Sequence, residues 1–402
     1  MSAPQPQSKP NGPGRQIAAW LHEMVALRHD LHRHPELAFE ERRTAALVAR
    51  SLADWGWEVH EGLGGTGVVG TLTTGPGPVI GIRADMDALP ITETTGLPHA
   101  SLHDGRMHAC GHDGHTTILL AAARCLAERR RFRGTARVIF QPAEEHGGGA
   151  AVMMRDGLFT RFPVDRIYAL HNMPGLPAGV FGFRPGALTA ASDDYVITVR
   201  GRGGHGAYPE RAVDPIVAGS AIVLALQSVV ARNVPPTRQA VVTVGAFRAG
   251  EAANVIPETA VLKASVRTTD PETRSLIEMR IRELVAGQAA AWGASATVQV
   301  DRGYPAVIND AGATAFARAV AVDAFGAGRV IDIPEASMGS EDFAYMLEGV
   351  PGCYLVVGNG IESGPTSCMI HNPGYDFNDA VLGDAAAFWV ALAEASAPAG
   401  AA

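Results

Sequence analysis

Cysteine is scarce in this chain: Cys110, Cys125, Cys353 and Cys368 are the four among 402 residues. So few cannot form a disulfide framework for a chain this long, and they fit a reducing, cytoplasmic compartment. A secretory signal is missing too. The opening MSAPQPQSKPNGPGR holds Pro, Gly, Ser and Gln but no apolar run, so residues 1–14 are expected to be a disordered tail. No stretch approaches the roughly 18 uncharged apolar residues of a membrane helix, and no membrane partner is expected. Basic runs rich in aromatics are absent, and the net charge is −8 with a pI of about 6.0. Both argue against nucleic acid as a partner. No internal repeat is visible.

What is present is enough apolar sequence for a sizeable core: 47% apolar and 18% charged residues, in a length that suits two domains or one with an insertion. Trp20, Leu21, Met24, Leu27 and Leu31 fall at helical spacing, and a second helix is expected at 41–55. Strands at 67–72 and 79–84 flank a GPGP turn. A loop at 85–113, a helix at 116–129 and strands at 136–140 and 166–170 follow. The alternation predicts an α/β fold, a three-layer catalytic domain with a mostly parallel sheet, whose sites gather beyond the carboxyl ends of strands. Further on, the pattern becomes strand, helix, strand, strand, helix, strand, beginning with the alternating DYVITVR at 194–200. That order predicts an inserted ferredoxin-like α+β domain at 188–302, leaving 15–187 and 303–402 to the catalytic domain.

The densest polar cluster is HACGHDGH, His108 to His115, with three imidazoles, a thiol and a carboxylate beside two glycines. The glycines permit a tight turn, and imidazole with thiolate suits zinc and similar ions. No second cysteine pair stands at zinc-finger spacing. Glu144-Glu145 closes a short apolar strand. Adjacent side chains point in different directions, so one carboxylate can bind a metal while the other takes a proton from the attacking water. His171 closes the apolar run 167–170, and His371 lies in MIHNPG. Each alone is an ordinary loop histidine; together these residues could build a two-metal site with one bridging ligand.

RADMDALP (83–90), HACGHDGH (108–115), QPAEE (141–145), LHN (170–172), GRGGHGAYP (201–209), GSEDF (339–343) and HNP (371–373) occur in this order. The set resembles the amidohydrolase branch of the co-catalytic aminoacylase/carboxypeptidase metallopeptidase family, which includes hippurate hydrolases, N-acyl-amino-acid amidohydrolases and plant auxin-conjugate hydrolases. The resemblance spans about 17–395, and LRHDLHRHPELAFEE at its start also fits. It implies Cys110 as a metal-bridging thiolate, with His112, Glu145, His171 and His371 completing two sites for divalent zinc, manganese, cobalt or nickel. It implies Glu144 as general base, His205 and Asn254 as substrate-binding residues, and Asp85 as an acid that orients a ligand imidazole. Other branches carry a metal-binding histidine where Arg83 stands. The implied reaction is hydrolysis of the amide bond of N-acyl (benzoyl- or acetyl-type) amino acids. A dipeptidase or carboxypeptidase, or a deacetylase of diaminopimelate type, on the same site remains an alternative, as does an inactive metal-binding scaffold. By analogy, the inserted domain serves as a lid and pairs chains into a homodimer or homotetramer.

Overall fold

The computed structural model describes residues 12–396. The expected tail therefore lies outside the described residues up to position 11. Positions 13 and 14 differ from expectation, since they open the helix Pro13–Ala18. Proline is tolerated in a first turn, where its missing N–H has no intrahelical partner to lose. The chain divides into two compact units: Met1–Gly186 with Ile308–Pro334 and Asp342–Ala402, and Ala187–Val307 with Glu335–Glu341.

The first unit carries an eight-stranded sheet. At its centre Thr135–Gln141, Val79–Asp85, Arg166–Pro174 and Gly352–Gly360 run parallel. Glu58–Leu63 and Gly67–Thr73 extend one edge in antiparallel fashion. Phe181–Phe183 and Val330–Asp332 extend the other. Every residue of Gly352–Gly360 is buried, so the sheet is covered on both faces, as in a three-layer α/β fold. Ile82, Val138 and Leu355 share one core with helices His112–Arg129 and Leu382–Ser396, while Ile139 and Ala169, at alternating positions, are equally buried.

Three strands of this sheet escape the sequence pattern. Glu58–Leu63 reads EVHEGL, largely polar, and the two outer strands have three residues each, too short for periodicity. Two boundaries also shift. Arg166–Pro174 continues through His171 and Asn172, which pair with Val356 and Val357; His171 lies inside the strand, not at its end, because the parallel neighbour keeps the ladder going after the apolar run stops. The helix expected from 116 begins at His112, and the polar residues that resemble a loop form its buried first turn.

The second unit holds an antiparallel sheet in the order Ala240–Ala249, Thr259–Thr268, Ala191–Arg200, Ser295–Arg302. Helices Pro215–Asn233 and Pro271–Ala291 fall between strands in the expected β-α-β-β-α-β order. Each opens on proline behind an aspartate cap: Asp214 accepts from Ile216 N and Asp270 from Thr273 N. Pro215–Asn233 corrects one expectation, because with mean hydropathy 1.6 over its window it is, among the described residues, long and apolar enough to cross a membrane. Its stripe Ala218, Ile222, Leu226 and Val229 instead packs into this unit's own core. The unit also recruits a distant segment: Ser337 N donates to Leu188 O at 2.8 Å and Ala190 N to Gly339 O at 2.9 Å. Local sequence pattern carries no signal for that pairing.

Candidate metal centre

The carboxyl ends of the parallel strands deliver the site. Asp85 ends one strand and pairs with Gln141, the end of the next; Glu144-Glu145 follows three residues later. Cys110 and His112 flank Gly111, whose φ of +96° closes the approach to the helix. A Cβ there would stand 2.4 Å from Asn172 Oδ1 and 2.9 Å from Tyr375 OH, so only glycine fits. Two non-glycine residues nearby are also left-handed, Ala143 at φ +54° and His371 at φ +62°. Such backbone is strained and persists where the surroundings over-determine it.

Among the described residues five donor trios form, and two of them share a thiol: Cys110 with His112 and His171, and Cys110 with Glu145 and His371; within each, the donor atoms lie within 4.8 Å of one another. The thiol belongs to both. Cys110 Sγ is 3.3 Å from His171 Nε2. Glu145 Oε1 is 3.1 Å from His371 Nε2 and 3.9 Å from His112 Nε2. Ligands about 2.0–2.3 Å from a tetrahedral ion stand roughly 3.3–3.8 Å apart, so the spacing fits. His112 Nε2 is buried without a hydrogen-bond partner, which a cation would remedy. The other nitrogens are already committed: His171 Nδ1 donates to Asn172 O at 2.7 Å, and His112 Nδ1 to Asp87 O at 2.9 Å. Each ring thus presents Nε2 to the site.

Electrostatics point the same way. Burial, then Glu145 and Glu144, push the Cys110 thiol well above its ordinary range; a thiolate there requires a cation. Burial alone would lower His112, but Asp85, Asp87 and Glu145 push it up to about 10, a sign of how much negative charge surrounds it. Burial and His115 push His171 down to about 3, keeping it a neutral donor. The residues present therefore fit two divalent ions. His371, with its side chain half exposed, lies on the solvent side.

Asp85 is placed differently from expectation. Its Oδ1 accepts from His115 Nδ1 at 2.6 Å and its Oδ2 from Arg83 Nη1 at 2.7 Å. His115 Nε2 accepts from Asn172 N at 3.1 Å and lies 2.6 Å from Asn172 Oδ1; His115 groups with Asp85 and His112 but belongs to neither trio that holds Cys110. Asp87, outside the residues expected from the sequence, also lies against His112, its Oδ1 3.2 Å from Nδ1, and its Oδ2 accepts from Glu145 N at 3.0 Å. The signal lay in RADMDALP, where the strand ends at Asp85 and the second acid falls beyond it. Arg83, 1% exposed, sits between Asp85 and Gln141 Oε1. In the second unit, His205 pairs with Val255 in a short ribbon and Gly206 N donates to Asn254 O at 2.8 Å. His205 and Asn254, 49 positions apart, thereby become neighbours, both exposed. The four cysteines are unpaired.

A buried thiol common to two donor sets, at the carboxyl edge of a parallel sheet and with a second acid alongside, defines a metal-dependent hydrolase that works through two ions. The model of peptidase family M20/M25/M40 matches residues 81–395. The chain is 45% identical over 372 residues to a hippurate hydrolase of Campylobacter jejuni, covering 92% of this chain and 96% of that protein. It is 40% identical over 338 residues to an N-acetyl-L-cysteine deacetylase of Bacillus subtilis, covering 84% and 80%. A Bacillus subtilis structure described as a dinuclear metal binding peptidase of this family superposes with TM-score 0.82 at 35% identity, over 94% of this chain and 98% of that one. The chain belongs to peptidase family M20/M25/M40 and is an amidohydrolase of that family.

Proposed function

We propose that the protein cleaves N-acyl amino acids at the amide, releasing a carboxylic acid and a free amino acid, with Glu144 as general base. One observation carries this most directly. Glu144, 6% exposed, stands beside Glu145 with a carboxylate oxygen within 4.8 Å of the donor atoms of His112 and Glu145, yet in neither trio that contains Cys110. When bound in those trios, divalent ions such as zinc, manganese, cobalt or nickel polarise the amide carbonyl and acidify the attacking water. Glu144 accepts the water proton and returns it to the leaving nitrogen. The amide is neutral and the tetrahedral intermediate anionic, so donors aimed at its oxygen bind the transition state more tightly than the substrate.

His205 is proposed as such a donor. Its Nδ1 accepts from Ala207 N at 3.0 Å, so in the neutral ring Nε2 carries the proton. Asn254, beside it in the ribbon, is proposed for the same substrate. Pairing into a homodimer or homotetramer through the second unit, and a cytoplasmic location suited to four unpaired cysteines, complete the reading.

The test is a panel of benzoylglycine, acetylated amino acids and dipeptides, given to metal-loaded protein with and without chelator. Chelator-sensitive release of benzoate or acetate is the expected result. Cleavage of dipeptides alone would transfer the same site to a peptidase.

A further inference from the structure

The segment HPELAFEE, residues 34–41, has no part in the donor trios, yet it is built against them. Glu36 has an ordinary explanation: its carboxylate accepts from Arg43 N at 2.9 Å and Thr44 N at 2.8 Å, capping helix Arg42–Asp54. Glu41 does not cap anything. It is 0% exposed, and its Oε1 accepts from two backbone amides, Phe39 N at 3.0 Å and Ala143 N at 2.8 Å. Both amides belong to left-handed non-glycine residues, Phe39 at φ +63° and Ala143 at φ +54°. Its Oε2 accepts from Thr66 Oγ1 at 2.5 Å.

Ala143 immediately precedes Glu144, and Glu145 N immediately follows it on Asp87 Oδ2. Two buried carboxylates thus hold the amides on either side of Glu144. An L-residue in the left-handed region is disfavoured by the approach of its Cβ to the following carbonyl oxygen, so without a partner for its N–H the Ala143 peptide would relax, and Glu144 would turn with it. We propose that Glu41 is a positioning residue: by fixing the left-handed Ala143 peptide it aims the Glu144 side chain. The proposal rests on the reading of Glu144 as the base. Burial pushes the Glu41 carboxyl up to about 7, against the hydrogen bonds from Thr66 and Ala143; Oε1 can accept from both amides in either protonation state, so the clamp holds across neutral pH.

The decisive set is Glu41→Ala, Glu41→Asp, Glu41→Gln and the double variant Glu41→Ala/Ala143→Gly. The first readout is amide hydrogen exchange at Ala143 in metal-free protein. It is expected to be slow in wild type and Glu41→Gln, and fast in Glu41→Ala and Glu41→Asp, where the acceptor is removed or withdrawn by a methylene. The second is kcat in metal-loaded protein. It is expected to fall about 100-fold in Glu41→Ala, as for a mis-aimed catalytic group, with KM and metal content unchanged. Glu41→Gln keeps the acceptor and is expected to retain kcat. Glycine adopts positive φ without strain, so Ala143→Gly is expected to restore at least about tenfold to Glu41→Ala. Should Glu41→Ala not fold, Glu41→Asp decides by the same two readouts. A protected Ala143 amide or wild-type kcat in these variants would overturn the proposal, as would a loss that neither glutamine nor the added glycine recovers. Glu144→Gln run alongside separates the readings: if it remains active, the base assignment falls while the exchange result still judges the clamp.

Discussion

The two units differ in how much charge they bury. In the first, Arg28 is fully buried, with Nη1 2.7 Å from Asp376 Oδ1 and 3.3 Å from Asp113 Oδ2, and Nε 2.8 Å from Asp379 Oδ1. Asp113 in turn accepts from His32 Nδ1 at 2.8 Å and lies next to His112. Asp85, Asp87, Glu41 and Glu144 are likewise inside. In the second unit the core is apolar, built on Tyr195, Ile222, Leu262 and Ile281. Among the described residues its buried charges are two, Asp193, held by Arg274 at 2.5 Å, and Glu341, whereas pairs such as Arg238–Glu272 lie in solvent. Buried charge must be paired or bound to something, so the first unit reveals its chemistry through its interior. The second carries His205 and Asn254 on the surface, where nothing in burial marks them.

The comparison can be broken by substitution. The largest expected effect is Glu144→Gln, a kcat loss of about 10²–10⁴-fold with metal content retained; near-normal turnover in protein of full metal content would remove the base. Next is Arg28→Met, which strands buried carboxylates and is expected to lower stability by about 3–5 kcal/mol in denaturant unfolding. Arg238→Met, its counterpart in the second unit, should leave the midpoint unchanged, and equal effects would erase the contrast. His205→Ala sharpens it from the other side: kcat/KM should fall about 10²–10³-fold with no change in unfolding. Smallest is Asp87→Asn, expected to weaken metal binding about 10–100-fold by loosening His112 and the Glu145 amide; unchanged affinity would return the orienting role to another acid.

How much was legible in the sequence follows the same division. Cys110, His112, Glu144 and Glu145 cluster in short motifs at strand ends or a helix start, so periodicity and residue chemistry locate them together. His171 lies within its strand and not at the end expected, because only the neighbouring strand reveals that its own strand continues. Asp85 and Asp87 occupy one motif, and which acid faces which imidazole depends on where the strand stops. Glu41 gives no periodic signal: its partners Thr66 and Ala143 lie 25 and 102 positions away. His205 and Asn254 were legible through family resemblance alone, since exposed polar residues on a ribbon look like any solvated loop.

The central claim is that one thiol serves two ions. Titration of metal-free protein with a divalent metal, followed by calorimetry, addresses it directly in wild type, Cys110→Ala and His371→Ala. The account predicts two ions per wild-type chain, loss of affinity at both sites together in Cys110→Ala, and loss at one site in His371→Ala. Two sites of wild-type affinity in Cys110→Ala, or weakening of just one, would contradict it.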